Sequence, residues 1–128
     1  MAVTIDGSAG VTTNAGGSVN PSTNVDGINY SCRAWVNFNG TGTVAIRASG
    51  NVTDITDGGT GIYTVNFTTS MSDANYTAVG NTGGNSATRE LTFRFDTTAP
   101  TVSSAQLTTA NSSGIAADSA YVMVAIFR

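Results

Sequence analysis

From Arg33 to the C-terminus the chain breaks at nearly even intervals into eight short apolar-containing segments, over residues 33–39, 43–48, 52–56, 62–68, 76–81, 89–96, 102–109 and 117–127. The spacers between them are clusters of Gly, Asn, Asp, Ser and Thr, such as 39–42, 57–61, 71–75, 83–86 and 111–114. Inside the segments the side chains alternate. Ala34, Val36 and Phe38 fall on one face with Trp35 and Asn37 on the other; Tyr63, Val65 and Phe67 share a face, as do Leu91, Phe93 and Phe95. Period two is what a strand with one side on a core and one side on water requires. Eight such strands, each stopped by turn residues, predict an all-β fold, an antiparallel β-sandwich with a single core.

The composition agrees. Of 128 residues, 21 are Thr, 13 Ser, 12 Asn and 15 Gly. Thr stiffens an extended backbone through its branched Cβ, while Asn and Gly accept the positive φ of tight hairpin turns. Glu occurs once, as Glu90, and no stretch carries an apolar repeat at helical spacing between caps.

Two segments depart from simple alternation. Residues 1–30 are mostly small and polar and contain too little apolar surface to form a core of their own. They read as an amino-terminal attachment or inter-subunit segment, either flexible or ordered along other chains, ahead of a domain over 31–128. At the other end, Tyr121-Val122-Met123-Val124-Ala125-Ile126-Phe127 offers apolar groups to both faces. Such a strand needs cover on both sides, from two layers of one chain or from neighbouring subunits; a central strand with some subunit contact, through Tyr121, Met123 and Phe127, is expected. The lone Cys32 cannot form an internal disulfide and reads as a small buried core residue.

Little chemistry survives inspection. With no His, neither a Ser-His-Asp nor a Cys-His arrangement exists, and the usual zinc sites lack most of their ligands. No catalytic residue, metal or cofactor is assigned. Asp54 and Asp57, near Thr56 and Thr60, match no EF-hand spacing; an Asx turn, with an Asp carboxylate accepting from nearby backbone amides, is the simpler reading. The five Arg are scattered and the net charge is −3, so no basic patch awaits a nucleic acid. Arg47, Arg89 and Arg94 read as surface or cross-strand partners, for instance of Glu90 or Asp96. No run approaches the length of a membrane span, and no charged-then-apolar leader opens the chain, so a soluble, unprocessed protein is expected.

Residues 32–42, from Cys32-Arg33-Ala34-Trp35 to Asn39-Gly40-Thr41-Gly42, together with 46–52, 61–67, Met71-Ser72-Asp73-Ala74-Asn75-Tyr76 and 118–127, resemble the carboxy-terminal domain of bacteriophage tail fibres, cyanophage fibres included. The likeness runs through roughly residues 31–128, with its motifs in the same order. It implies a homotrimeric virion protein, made in the host cytoplasm and placed in the tail, whose β-rich knob attaches to a host-surface glycan without being an enzyme. Other tail or baseplate proteins would hold residues 1–30. A typical fibre has a long shaft before this domain, so the chain reads as a minimal fibre docking directly on a tail or as a fragment. The expected receptor contacts are exposed loops, with Asn81, Asn85 and Arg89 around one and Asn111 and Ser113 around another. The rival expectation is a purely structural virion part, a short fibre, baseplate or decoration component that touches no receptor; a glycan depolymerase is a third.

Overall fold

The computed structural model describes residues 31–84, 89–95 and 97–128 in full, and before them the backbone of four short strands. The chain divides into two units, Met1–Ser31 and Cys32–Arg128. In the first, β1 (Val3–Asp6) pairs antiparallel with β2 (Gly10–Thr13), and β3 (Asn24–Val25) with β4 (Ile28–Asn29). These ladders were not legible in the alternation, because segments of two to four residues are too short to show a period.

The second unit holds eight strands: β5 (Cys32–Asn39), β6 (Ala45–Gly50), β7 (Val52–Asp57), β8 (Ile62–Phe67), β9 (Thr77–Gly83), β10 (Arg89–Phe93), β11 (Ser104–Asn111) and β12 (Tyr121–Phe127). They form two four-stranded antiparallel sheets, ordered β6-β5-β12-β9 and β10-β11-β8-β7. No helix occurs among the described residues, and the arrangement is consistent with the expected β-sandwich. The edge strands of the two sheets meet, β6 against β7 and β9 against β10, which leaves less open ladder for strangers to pair with.

For β5 and β8 the core is what the alternation predicted, whereas of the Leu91, Phe93 and Phe95 stripe the first two are partly buried and Phe95 is exposed beyond the end of β10. Ala34, Val36 and Phe38 from β5 and Val122, Val124 and Ile126 from β12 face Tyr63, Val65 and Phe67 from β8 and Ala105 and Leu107 from β11, all of them buried. Each large apolar side chain buried in this way is worth about 1.5–3 kcal/mol relative to exposure. The Phe38 and Tyr63 rings cross the gap between the sheets edge to face, centroids 5.2 Å apart. Tyr76 fills the far end between Phe67 and Phe95, donating its hydroxyl to Ser104 O at 2.8 Å. Burial pushes its pKa up to about 12.

Turn chemistry sets the strand ends. Asn39 Nδ2 donates to Thr41 O at 2.7 Å, closing the β5–β6 turn around Gly42 at φ +62°. Asp57 Oδ1 accepts from Gly59 N at 2.9 Å, the expected Asx turn. Between β6 and β7 a single residue, Asn51 at φ +58°, carries the chain from one sheet to the other. Its Nδ2 donates to Arg33 O (2.9 Å) and to Thr69 O (3.0 Å), and its Oδ1 accepts from Thr69 N (2.7 Å). One amide at the β6–β7 crossing thus ties the start of β5 to the segment that follows β8.

One expectation about β5 needs correction. Cys32 is exposed rather than buried. It has the parity of Ala34, but the β5–β12 pairing slips between Ile126 and Phe127 and carries Cys32 past the end of the core. The β12 strand is central in its sheet, as expected; within the described residues its Val122–Val124–Ile126 side is covered, and Tyr121, Met123 and Phe127 are exposed on the other. The opposite layer of the sandwich reaches one face only.

Candidate functional site

Register fixes which end of the sandwich each loop occupies. Cys32, at the start of β5, lies beside Phe127, at the end of β12. Asn51 and the 68–76 connection sit at that same end. The opposite end carries the turns after β5 and β7 and the 112–120 connection, drawn together by a buried polar cluster. Asp118 Oδ1 accepts from Gly61 N at 2.7 Å and from the Tyr63 hydroxyl at 2.9 Å. The same hydroxyl lies 2.7 Å from Gly40 O, so its one proton serves two acceptors. Burial, then the Asp118 carboxylate, raises the Tyr63 pKa well above the ordinary tyrosine value. Gly61 stands at φ +67°, where a Cβ would strike Thr109 O. Thr109 Oγ1 donates to Ala117 O at 2.6 Å, and Gly40 N donates to Ser119 O at 2.9 Å.

Three of the five expected receptor contacts are gathered on this end. Arg89 pairs directly with Asn111 across β10 and β11, and Ser113 follows in the β11–β12 connection. Asn111 Oδ1 accepts from Ser113 N (3.0 Å) and Ile115 N (3.1 Å), so this oxygen is engaged in shaping its own turn. Arg89 shares the strand face of Leu91 and Phe93, and its Nε is enclosed without a hydrogen-bond partner. Asn81 is set apart from these three. It lies on the outer face of the β6-β5-β12-β9 sheet, opposite Met123, with its Oδ1 accepting from Thr82 N at 2.8 Å. Asn85 lies outside the described residues.

The outward faces of the two sheets differ in chemistry. On β10-β11-β8-β7 the outward residues include Thr56, Thr64, Asn66, Gln106 and Thr108, with Asp54 and Glu90 beside them. Asn66 Nδ2 donates to Asp54 Oδ1 (2.5 Å) and to Thr56 Oγ1 (2.8 Å), and Gln106 Nε2 to Thr64 Oγ1 (3.4 Å). This surface is a field of hydroxyls and amides.

The other outward face is largely apolar. Its cross-strand rows read Gly50–Trp35–Ala125–Val79 and Ala48–Asn37–Met123–Asn81. Gly50 lacks the Cβ that would strike the Trp35 indole, so the ring lies down over β6. Between Trp35, Val79 and Met123 runs an open trough of about 490 Å³, with the Asn37 and Asn81 amides on its lining. At its border the Arg47 guanidinium sits over the Tyr121 ring, 4.3 Å from the centroid, with Nη1 3.4 Å from Asn37 Oδ1. Reading β5 and β12 separately missed this trough. Both expose their odd-numbered positions, and only the pairing of Asn37 with Met123 sets those positions side by side.

Arg94 Nε bonds Thr97 Oγ1 at 3.0 Å. The ion pair found among the described residues joins Asp73 to Arg128 and holds the Asp73 carboxyl below the ordinary carboxylate range. No group of three or more metal-ligating side chains occurs among the described residues. No family model, curated protein or solved structure matches the chain.

Proposed function

We propose that this chain is a receptor-binding protein of the phage tail-fibre kind, a homotrimeric, non-enzymatic virion component that attaches to a host-surface glycan. The observation that carries the reading is the polarity of the sandwich. The chain comes into the domain at Cys32, beside the end of its last strand, and the Arg89–Asn111 strand pair and the turn holding Ser113 lie at the opposite end. A module held at residues 1–30 by tail or baseplate proteins would present that end outward. Hydroxyls and amides of the kind displayed by Ser113, and by Thr64, Asn66 and Gln106 along the flank, supply the donors and acceptors that sugars need. Three copies would multiply weak individual contacts. The likeness to tail-fibre domains over residues 31–128 supports the same reading.

Binding of the purified chain to an array of bacterial surface glycans, and adsorption to the cells that carry them, tests it. Saturable binding that falls on Arg89→Ala or Ser113→Ala, with mass and fold unchanged, is the expected result. Absence of binding to every glycan and cell type would overturn the reading.

A second reading, a structural virion part with no receptor, is favoured by Asn111, whose side-chain oxygen is already occupied by its own turn. In that case Ser113→Ala and Arg89→Ala leave adsorption of assembled particles untouched.

A further inference from the structure

We infer that the outward face of the β6-β5-β12-β9 sheet is the surface on which a second copy of this chain docks, with Trp35, Val79 and Met123 at the centre of the contact. The number of copies rests on the proposed homotrimeric reading; the location of the contact does not.

Eight large apolar side chains are exposed among the described residues, and five of them, Trp35, Val79, Tyr121, Met123 and Phe127, share this one face, each 38–49 % exposed. The remaining three, Phe95, Val102 and Ile115, are not on this sheet. An aromatic side chain offers about 150–250 Å², so the three rings alone leave on the order of 250 Å² open to water. With Val79, Met123 and Ala125 added, the patch matches the largest apolar patch that a monomer ordinarily carries, a patch that is often functional.

Its electrostatics point to a copy of itself. None of the four strands contains an Asp or Glu. The charged residues of the sheet are Arg33 and Arg47, and Arg47 already has the Tyr121 ring and the Asn37 oxygen as partners. The two central rows are neutral. An acidic partner would find few cations in the middle of this face, whereas a second copy brings apolar groups to apolar groups and no carboxylate that burial would penalise. The small residue Ala125 holds the floor low between Trp35 and Val79, leaving the trough of about 490 Å³ to receive side chains from the other copy. The same contact supplies the cover that the outward side of β12 lacks within its own domain.

Trp35 is the only tryptophan in the chain, so its fluorescence reports on this face alone. The full chain is followed from below micromolar to tens of micromolar by light scattering, emission maximum and acrylamide quenching. As mass rises toward three times 13.0 kDa, the emission is expected to shift to the blue and the quenching constant to fall several-fold. Met123→Glu, and independently Val79→Lys, both at outward strand positions, should give folded monomers with fully quenchable Trp35. An oligomer whose Trp35 stays as quenchable as in Met123→Glu would overturn the inference while leaving the homo-oligomeric reading intact. A chain that is monomeric throughout, with Trp35 open, would overturn both. Shielding of Trp35 in a monomer, or a blue shift at constant mass on adding bacterial polysaccharide, would assign the face to the chain itself or to a sugar and likewise overturn it.

Discussion

The Tyr63 hydroxyl and the Asp118 carboxylate, 55 residues apart in sequence, lie 2.9 Å from each other where β8 and the approach to β12 converge. Tyr63 is fully buried and comes from one sheet, Gly40 O beside it follows a strand of the other, and Asp118 also accepts from Gly61 N. The contact therefore fastens the two sheets at the end that carries the proposed receptor loops.

Removing either partner should loosen that end. Tyr63→Phe strips the donor from two acceptors, and Asp118→Ala strands the Gly61 amide and leaves the phenol with Gly40 O alone. Each is expected to cost about 1–3 kcal/mol, read from urea or guanidinium midpoints. Gly61→Ala should be worse than either, because the new methyl collides with Thr109 O at a positive φ. An unchanged midpoint in Asp118→Ala would show that this fastening contributes nothing.

Ser119 should behave in the opposite sense. Its side chain is fully buried and its Oγ has no hydrogen-bond partner. Ser119→Ala removes an unpaired hydroxyl without removing a bond, so stability is expected to hold or rise by up to about 1 kcal/mol. A clear loss would reveal a partner for that oxygen.

Both buried phenols make stability sensitive to alkali. Their folded pKa values are raised above that of the unfolded chain, near 10, with Tyr76 at about 12 and Tyr63 higher still. A neutral phenol is the form that the fold keeps, so their contribution is complete below pH 10 and drains away as pH climbs from 10 through 12. Thermal midpoints should be level across that lower boundary and fall beyond it. Tyr76→Phe should flatten part of the decline, and a profile unaffected by that change would contradict the assignment.

The free thiol offers a direct check on strand position. Cys32 is exposed past the slip in the β5–β12 pairing, so a maleimide should label it in native buffer at a rate close to that in denaturant. Labelling only after unfolding would return Cys32 to the core.

How far the fold was legible follows from what alternation can carry. The eight strands of the second unit announce themselves through their spacing between turn clusters, and the period predicts the burial of Val36, Phe38 and Val65. The β1–β4 ladders do not, being too short for any period. Sheet order is equally silent, since that β12 lies between β5 and β9 depends on contacts some 40 to 90 residues apart. The Asp118–Tyr63–Gly61 cluster was invisible for the same reason. Of the expected site, the Arg89–Asn111 pairing emerged only with strand register, and Trp35 was legible as outward-facing but not as the edge of a trough.

Asn51 should prove the most sensitive polar surface position. Asn51→Ala gives up three hydrogen bonds to Arg33 and Thr69 and a residue type tolerant of positive φ. A loss of about 1–3 kcal/mol is expected, with Asn51→Gly recovering only the backbone part. Equal stabilities for the two variants would mean that the side chain is idle.

The placement of β5 between β6 and β12 has a mechanical consequence. Tension transmitted through residue 31 arrives at the head of a strand that is laddered along both flanks, while the Asn51 amide grips its second residue. Drawing β5 out lengthwise must shear two rows of bonds together rather than unzip one bond at a time. A load applied lengthwise at that point is therefore shared by both ladders at once.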